Sequence, residues 1–146
     1  MDQSEDVRNA YLRFCDRLSA GDVASFDDLV SQEAKLVVGT SPGELVDDRP
    51  RMRYGFEAEG VRLEPSDPVG YEEGTLGWLF DQPRFVFPDD SAMQTRVTAV
   101  MRREDGVWRI VHAHFSVGVP DEEVVELQRR WAVDLLTRRS LPRESV

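Results

Sequence analysis

A chain of 146 residues with 40% hydrophobic and 32% charged content has the length and composition of one globular domain spanning 1–146, long enough to bury about two-thirds of its unfolded surface without disulfides or a structural metal. Its net charge of −10 argues against nucleic acid and anionic membrane surfaces, which are held through clustered Lys and Arg. No apolar run approaches the roughly 20 residues of a membrane span, and the opening MDQSEDVRNA lacks the basic-then-apolar order of a secretion signal, so a cytoplasmic location is expected.

Val7, Ala10, Tyr11, Phe14, Cys15 and Leu18 recur at the spacing of one helical stripe, and Asp2 or Ser4 can cap the helix they define. Cys15, the single cysteine, falls on that stripe and reads as a small core residue. Gly21 stops the helix, Asp22 starts another, and Phe26, Leu29 and Val30 give this second helix an apolar side. The β-branched run Ala34 to Gly39 predicts a strand, followed by a turn at Thr40 to Gly43. Pro50 to Gly60 predicts a short third helix, opened by proline and stopped by glycine.

From Val61 the pattern changes. Val61–Glu64, Gly70–Glu73, Thr75–Phe80 and Phe85–Phe87 are short β-rich runs separated by Pro, Gly and Asp, which predicts an antiparallel meander. Met93–Arg103 and Val107–Val117 are longer and meet at Asp105-Gly106, a tight hairpin. A last helix opens at Pro120, with acidic residues in its first turn and Arg138 and Arg139 near its end, as the helix dipole favours. Its predicted buried stripe is Val124, Leu127, Trp131 and Leu135.

Two helices, a strand, a short helix and a meander closing on a tryptophan-bearing strand resemble the nuclear transport factor 2-like superfamily. The sharpest likeness runs from Asp105-Gly106-Val107-Trp108 through Val111-His112-Ala113-His114-Phe115-Ser116, which is similar to the end of SnoaL-like domains and of the calcium/calmodulin-dependent kinase association domain. The resemblance implies an α+β, cone-shaped fold with helices packed on a curved, mixed and mostly antiparallel sheet. It also implies a pocket on the concave side, frequent homodimerisation through the other sheet face, and no cofactor. Members of the superfamily include isomerases, cyclases and dehydratases as well as assembly modules, so the fold does not select a function.

With Asp105 and Gly106 as the turn, an unbroken ladder places Arg96 opposite Phe115 and Thr98 opposite Ala113, with Val97, Ala99, Met101, Trp108, Ile110, His112 and His114 on the other face. The association domain carries pocket arginines at the position of Phe115 and near Thr98, which implies that the Arg96 face is the pocket side. Trp108, Ile110, His112 and His114 then fall on the dimer face; a bulge would slip this register by one. His112 and His114 form an H-x-H pair, a pattern that can bind metal or move protons, but no neighbouring ligand set completes a metal site and none is expected.

Arg96, Thr98, Phe115 and Trp78 are therefore the expected ligand contacts, with Arg96 meeting an anionic or carbonyl group. Glu44 as base, Tyr54 as oxyanion donor and Arg96 are the candidate catalytic residues of an enzyme. Three readings stay open: a homodimeric binder of a small, largely apolar ligand, a cofactor-independent isomerase, cyclase or dehydratase acting on a ketone or polyketide-like substrate, and a non-catalytic assembly module.

Overall fold

A computed structural model of the chain describes residues 1–38 and 46–139, with side chains described as far as 132. After a two-residue strand, β1 (Asp2–Gln3), Ser4 starts α1 (Glu5–Ser19). The Ser4 hydroxyl accepts the Val7 N–H at 3.2 Å and donates to Glu72 Oε2 at 2.6 Å, so the cap also ties the helix to the sheet. Val7, Tyr11, Phe14 and Cys15 form its buried stripe. Gly21, at φ +66°, ends it, and Asp22 caps a single 3-10 turn (Val23–Ser25) leading into the one-turn helix α2 (Phe26–Leu29).

β2 (Val30–Val38) begins four residues before the expected Ala34, because the backbone of Val30 is already extended (φ −124°, ψ 124°) and pairs with Ile110. Asp48 caps α3 (Arg49–Gly55), accepting the Arg51 N–H at 2.8 Å, with Pro50 in the first turn. The meander follows as β3 (Arg62–Glu64), β4 (Val69–Glu73), β5 (Leu76–Asp81), β6 (Arg84–Val86), β7 (Ala92–Glu104) and β8 (Val107–Val117), and α4 (Asp121–Arg139) closes the chain. Across the sheet the order is β1-β4-β5-β7-β8-β2, parallel at β2–β8 and antiparallel at the other pairs. β7 is long enough to pair with β6 along its first residues and with β5 along the rest, and β3 flanks β6.

The β7–β8 hairpin turns at Asp105 and Gly106, both at positive φ as a type I′ turn requires, and Glu104 pairs with Val107. The ladder is not unbroken, however. Ile110 pairs with Met101 and His112 with Val100, which leaves Val111 as an extra residue. This bulge changes the phase of β8, so that Trp108 and Ile110 before it and Ala113 and Phe115 after it all face the helices. On β7, which keeps strict alternation, Thr95, Val97, Ala99 and Met101 face inward.

The expected faces are therefore corrected. Arg96 pairs with Ser116 and Thr98 with His114, and Arg96, Thr98 and His114 lie on the outer face with His112. Trp108 (7% exposed) and Ile110 (2%) belong to the core of the chain itself rather than to an interface. Trp78 lies on the outer face of β5, between the buried Gly77 and Leu79, and stacks on Tyr71 at 4.8 Å.

α1, α2 and α3 cover the inner face, where Phe56 makes edge contacts with Phe14 (5.5 Å) and Phe26 (5.2 Å). Gly70 permits α1 to lie close on β4: a Cβ there would stand 2.8 Å from the backbone of Ser4 and of Arg8. The buried carboxylate of Asp81 ties three segments together, accepting from Tyr11 Oη at 3.1 Å, the Ser66 N–H at 3.2 Å and the Gln82 N–H at 2.8 Å. The stripe expected to be buried on α4 is not: Val124 and Leu127 are half-buried and Trp131 is 53% exposed, because α1–α3 already cover the inner face; the Leu135 side chain lies outside the described residues.

Candidate functional site

At the end of the inner face where β8 finishes, the helices and sheet enclose a cavity of about 480 Å³, within the range of small-molecule pockets. Phe14 and Leu18 of α1 form one wall, Val38 of β2 and Met52 of α3 another, and Leu63, Phe85, Met93 and Phe115 of the sheet the floor, with Phe87 beside Phe85 at 5.1 Å. Each element brings apolar residues because the positions that line the cavity continue the core pattern: Phe14 and Leu18 extend the α1 stripe, and Phe115 continues the inward phase set by the bulge.

The polar groups in this lining are few. Thr95 donates its hydroxyl to the Pro83 carbonyl at 2.7 Å, which uses its proton. Among the described lining residues Arg51 is the only ionisable side chain. It projects from α3, is largely exposed, and stands 3.7 Å from Asp47 and 3.8 Å from Asp48.

The candidate residues are thus divided. Phe115 lines the cavity. Arg96 lies outside, its guanidinium donating to the Val117 carbonyl at 3.4 Å, and Thr98 and Trp78 share that outer face, so none of the three contributes to the lining. Tyr54 is 73% exposed on α3 and is also absent from the lining; Met52 and Gly55 take the inward positions of that helix. Glu44 lies outside the described residues. His112 and His114 are on the outer face, where His112 Nδ1 donates to the Lys35 carbonyl at 2.8 Å across the parallel pair.

Sequence reasoning missed Arg51, Met52, Phe14 and Leu18 as cavity residues. The signal was present for the two α1 residues, whose stripe extends beyond what the core needs, and for Met52, the apolar residue in the α3 segment RPRMRYG. Away from the cavity, Tyr11 and Cys15 sit together beneath Asp81. Burial pushes the Cys15 thiol up to about 12 and the Tyr11 hydroxyl well above its ordinary value, so both are neutral structural groups at physiological pH.

Three helices on the inner face of an open, mostly antiparallel sheet, closing an apolar cavity at one end, define an α+β protein of the NTF2-like, cystatin-like class. The chain belongs to the SnoaL-like domain family, whose model matches residues 7–120. No curated protein sequence matches it. Among solved structures it is similar to an NTF2-like protein of unknown function from Pseudomonas putida KT2440 (16% identity, TM-score 0.67, covering 83% of this chain and 93% of the other). It is also similar to the association domain of CaMKII from C. elegans (18%, 0.63, 77% and 94%). A third likeness is to a proposed dehydratase of the NTF2-like family from Streptomyces avermitilis (15%, 0.66, 80% and 97%). At these identities the likeness is one of fold.

Proposed function

We propose that this SnoaL-like domain binds a small, largely apolar molecule in the cavity beneath α1 and α3. The observation that carries this reading is the lining itself: about 480 Å³ enclosed by Phe14, Leu18, Met52, Phe85, Met93 and Phe115, a surface that gains from exchanging water for hydrocarbon. The neutral fluorophore N-phenyl-1-naphthylamine tests it. The wild type should bind the probe with enhanced emission, and Met93→Trp, which fills the cavity from its floor, should weaken binding by about tenfold or more. Equal binding by the two proteins would refute the proposal.

An isomerase, cyclase or dehydratase in the same cavity would need a group to take a proton. Of the groups considered for catalysis, Tyr54 and Arg96 are away from the lining and Glu44 is outside the described residues, so ligand binding is the better supported reading.

A second reading, homodimerisation through the outer sheet face, is favoured by a separate observation. Leu76 (53% exposed) and Phe80 (49%) stand on that face beside the Tyr71–Trp78 stack, with the exposed Val37 on β2 at the other edge. The resemblance to association domains points the same way. His112 and His114 would then lie within the interface. Light scattering at micromolar concentration should give twice the chain mass, and Phe80→Glu should return it to the monomer; a monomeric wild type refutes this reading and leaves the cavity proposal intact.

A further inference from the structure

We infer that α4 is an arm that docks on the outer sheet face of a second copy of this chain, each copy lending its helix to the other; the inference rests on that face being a contact between copies. α4 begins just past the segment matched to the SnoaL-like family, and α1, α2 and α3 already cover the inner face. From Asp121 to Ala132 no side chain of α4 is buried: Val124 and Leu127 are half-buried and Trp131 is exposed, although the three are spaced as one helical stripe. A helix draws most of its stability from packing such a stripe, and alone in water a helix of this length is marginal. At 100° per residue Asp121 and Glu123 fall on opposite edges of the stripe, so the surface that α4 offers is apolar with an acidic border.

The outer sheet face offers the complement. Its carboxylates gather at the turn end of the β7–β8 hairpin, where Glu33 and Glu104 each accept from Arg102 at 2.9 Å and Glu73 ends β4 in line with them. Away from that end the outward positions of β2, β8, β7 and β5 carry the apolar Val37, Val100 and Phe80 with the cations Lys35 and Arg96, and no carboxylate. This is a basic patch on a chain whose acidic residues outnumber its basic ones 28 to 18. Among the described residues neither cation stands in an ion pair, Arg96 reaching the Val117 carbonyl alone, and Asp121 and Glu123 are likewise exposed and unpaired. The sizes also agree. The 19 residues of α4 span about 28 Å, and six strands cover about 24 Å. Because each chain carries both the acidic helix and the basic face, one twofold axis satisfies two helices and two faces at once, and the assembly closes as a dimer.

Two charge-reversed chains test this by sedimentation velocity, at the lowest concentration that keeps the wild type dimeric: Asp121→Arg with Glu123→Arg on the helix, and Lys35→Glu with Arg96→Glu on the face. Each chain alone sets like charges across both contacts, which should raise the dimer Kd by about tenfold or more and leave monomer. In an equal mixture the reversed helix meets the reversed face and the native helix meets the native face, so the dimer mass should return. All four positions are exposed, and circular dichroism of each chain should match the wild type. A reversed chain that dimerises with wild-type affinity overturns the inference, and so does a mixture that stays monomeric, which would mean that α4 folds back on its own sheet. Monomers from Phe80→Glu but not from the helix reversal overturn the arm and leave the two faces in direct contact, whereas a monomeric wild type overturns the reading of the face beneath it.

Discussion

Deletion of Val111 tests the bulge as the feature that sets which residues face the helices. Without the extra residue the β7–β8 ladder must run unbroken, and one half of β8 must change face. If the turn end flips, Trp108 and Ile110 leave the core; each is nearly fully buried, and a side chain of that size is worth about 1.5–3 kcal/mol, or about 3–6 kcal/mol for the pair. If the other end flips, Ala113 and Phe115 leave and His112 and His114 enter, each imidazole costing about 1–3 kcal/mol when buried without a partner. Either route removes at least about 2 kcal/mol from a fold of ordinary stability, about 5–15 kcal/mol in total. Val111→Ala supplies the control, since Val111 is only half-buried and truncation should cost less than about 1 kcal/mol. Urea denaturation followed by circular dichroism and tryptophan fluorescence gives both values. If the deletion and the alanine variant fall within about 1 kcal/mol of each other, the bulge does not determine the faces.

Four further outcomes are expected. Gly70→Ala should cost about 3 kcal/mol in the same denaturation experiment, since its Cβ would stand 2.8 Å from backbone atoms that cannot move aside. Gly55→Ala, in open space and without positive φ, should instead raise stability by about 0.5–1 kcal/mol, read as a higher Tm. Tyr11→Phe should cost about 1–2 kcal/mol by leaving Asp81 with only its Ser66 and Gln82 donors, while far-ultraviolet circular dichroism stays unchanged. Alkaline pH should also destabilise the fold. The folded Cys15 thiol is raised from 9.0 to about 12, so its stabilising contribution is complete below pH 9 and is lost as pH rises towards the folded value, by about 1.4 kcal/mol per pH unit. Stability measured from pH 9 to pH 10 should therefore fall less steeply in Cys15→Ala than in the wild type.

The fold was legible where the sequence pattern is local. The α1 stripe, the acidic start of α4 and the Asp105-Gly106 turn each depend on residues close in the chain, and each lies where the pattern puts it. The faces of the last hairpin were not, because a single extra residue in β8 reverses them, whereas an unbroken ladder from the turn sets Arg96 opposite Phe115. A sign of the break was present: β7 alternates strictly through Val97, Ala99 and Met101, whereas β8 spaces Trp108 and Ile110 from Ala113 and Phe115 by an odd step. Giving the β7 alternation precedence would have placed Arg96 and Thr98 outside. The packing of α4 was illegible for another reason. An apolar stripe shows which side of a helix seeks burial and does not supply a surface to receive it.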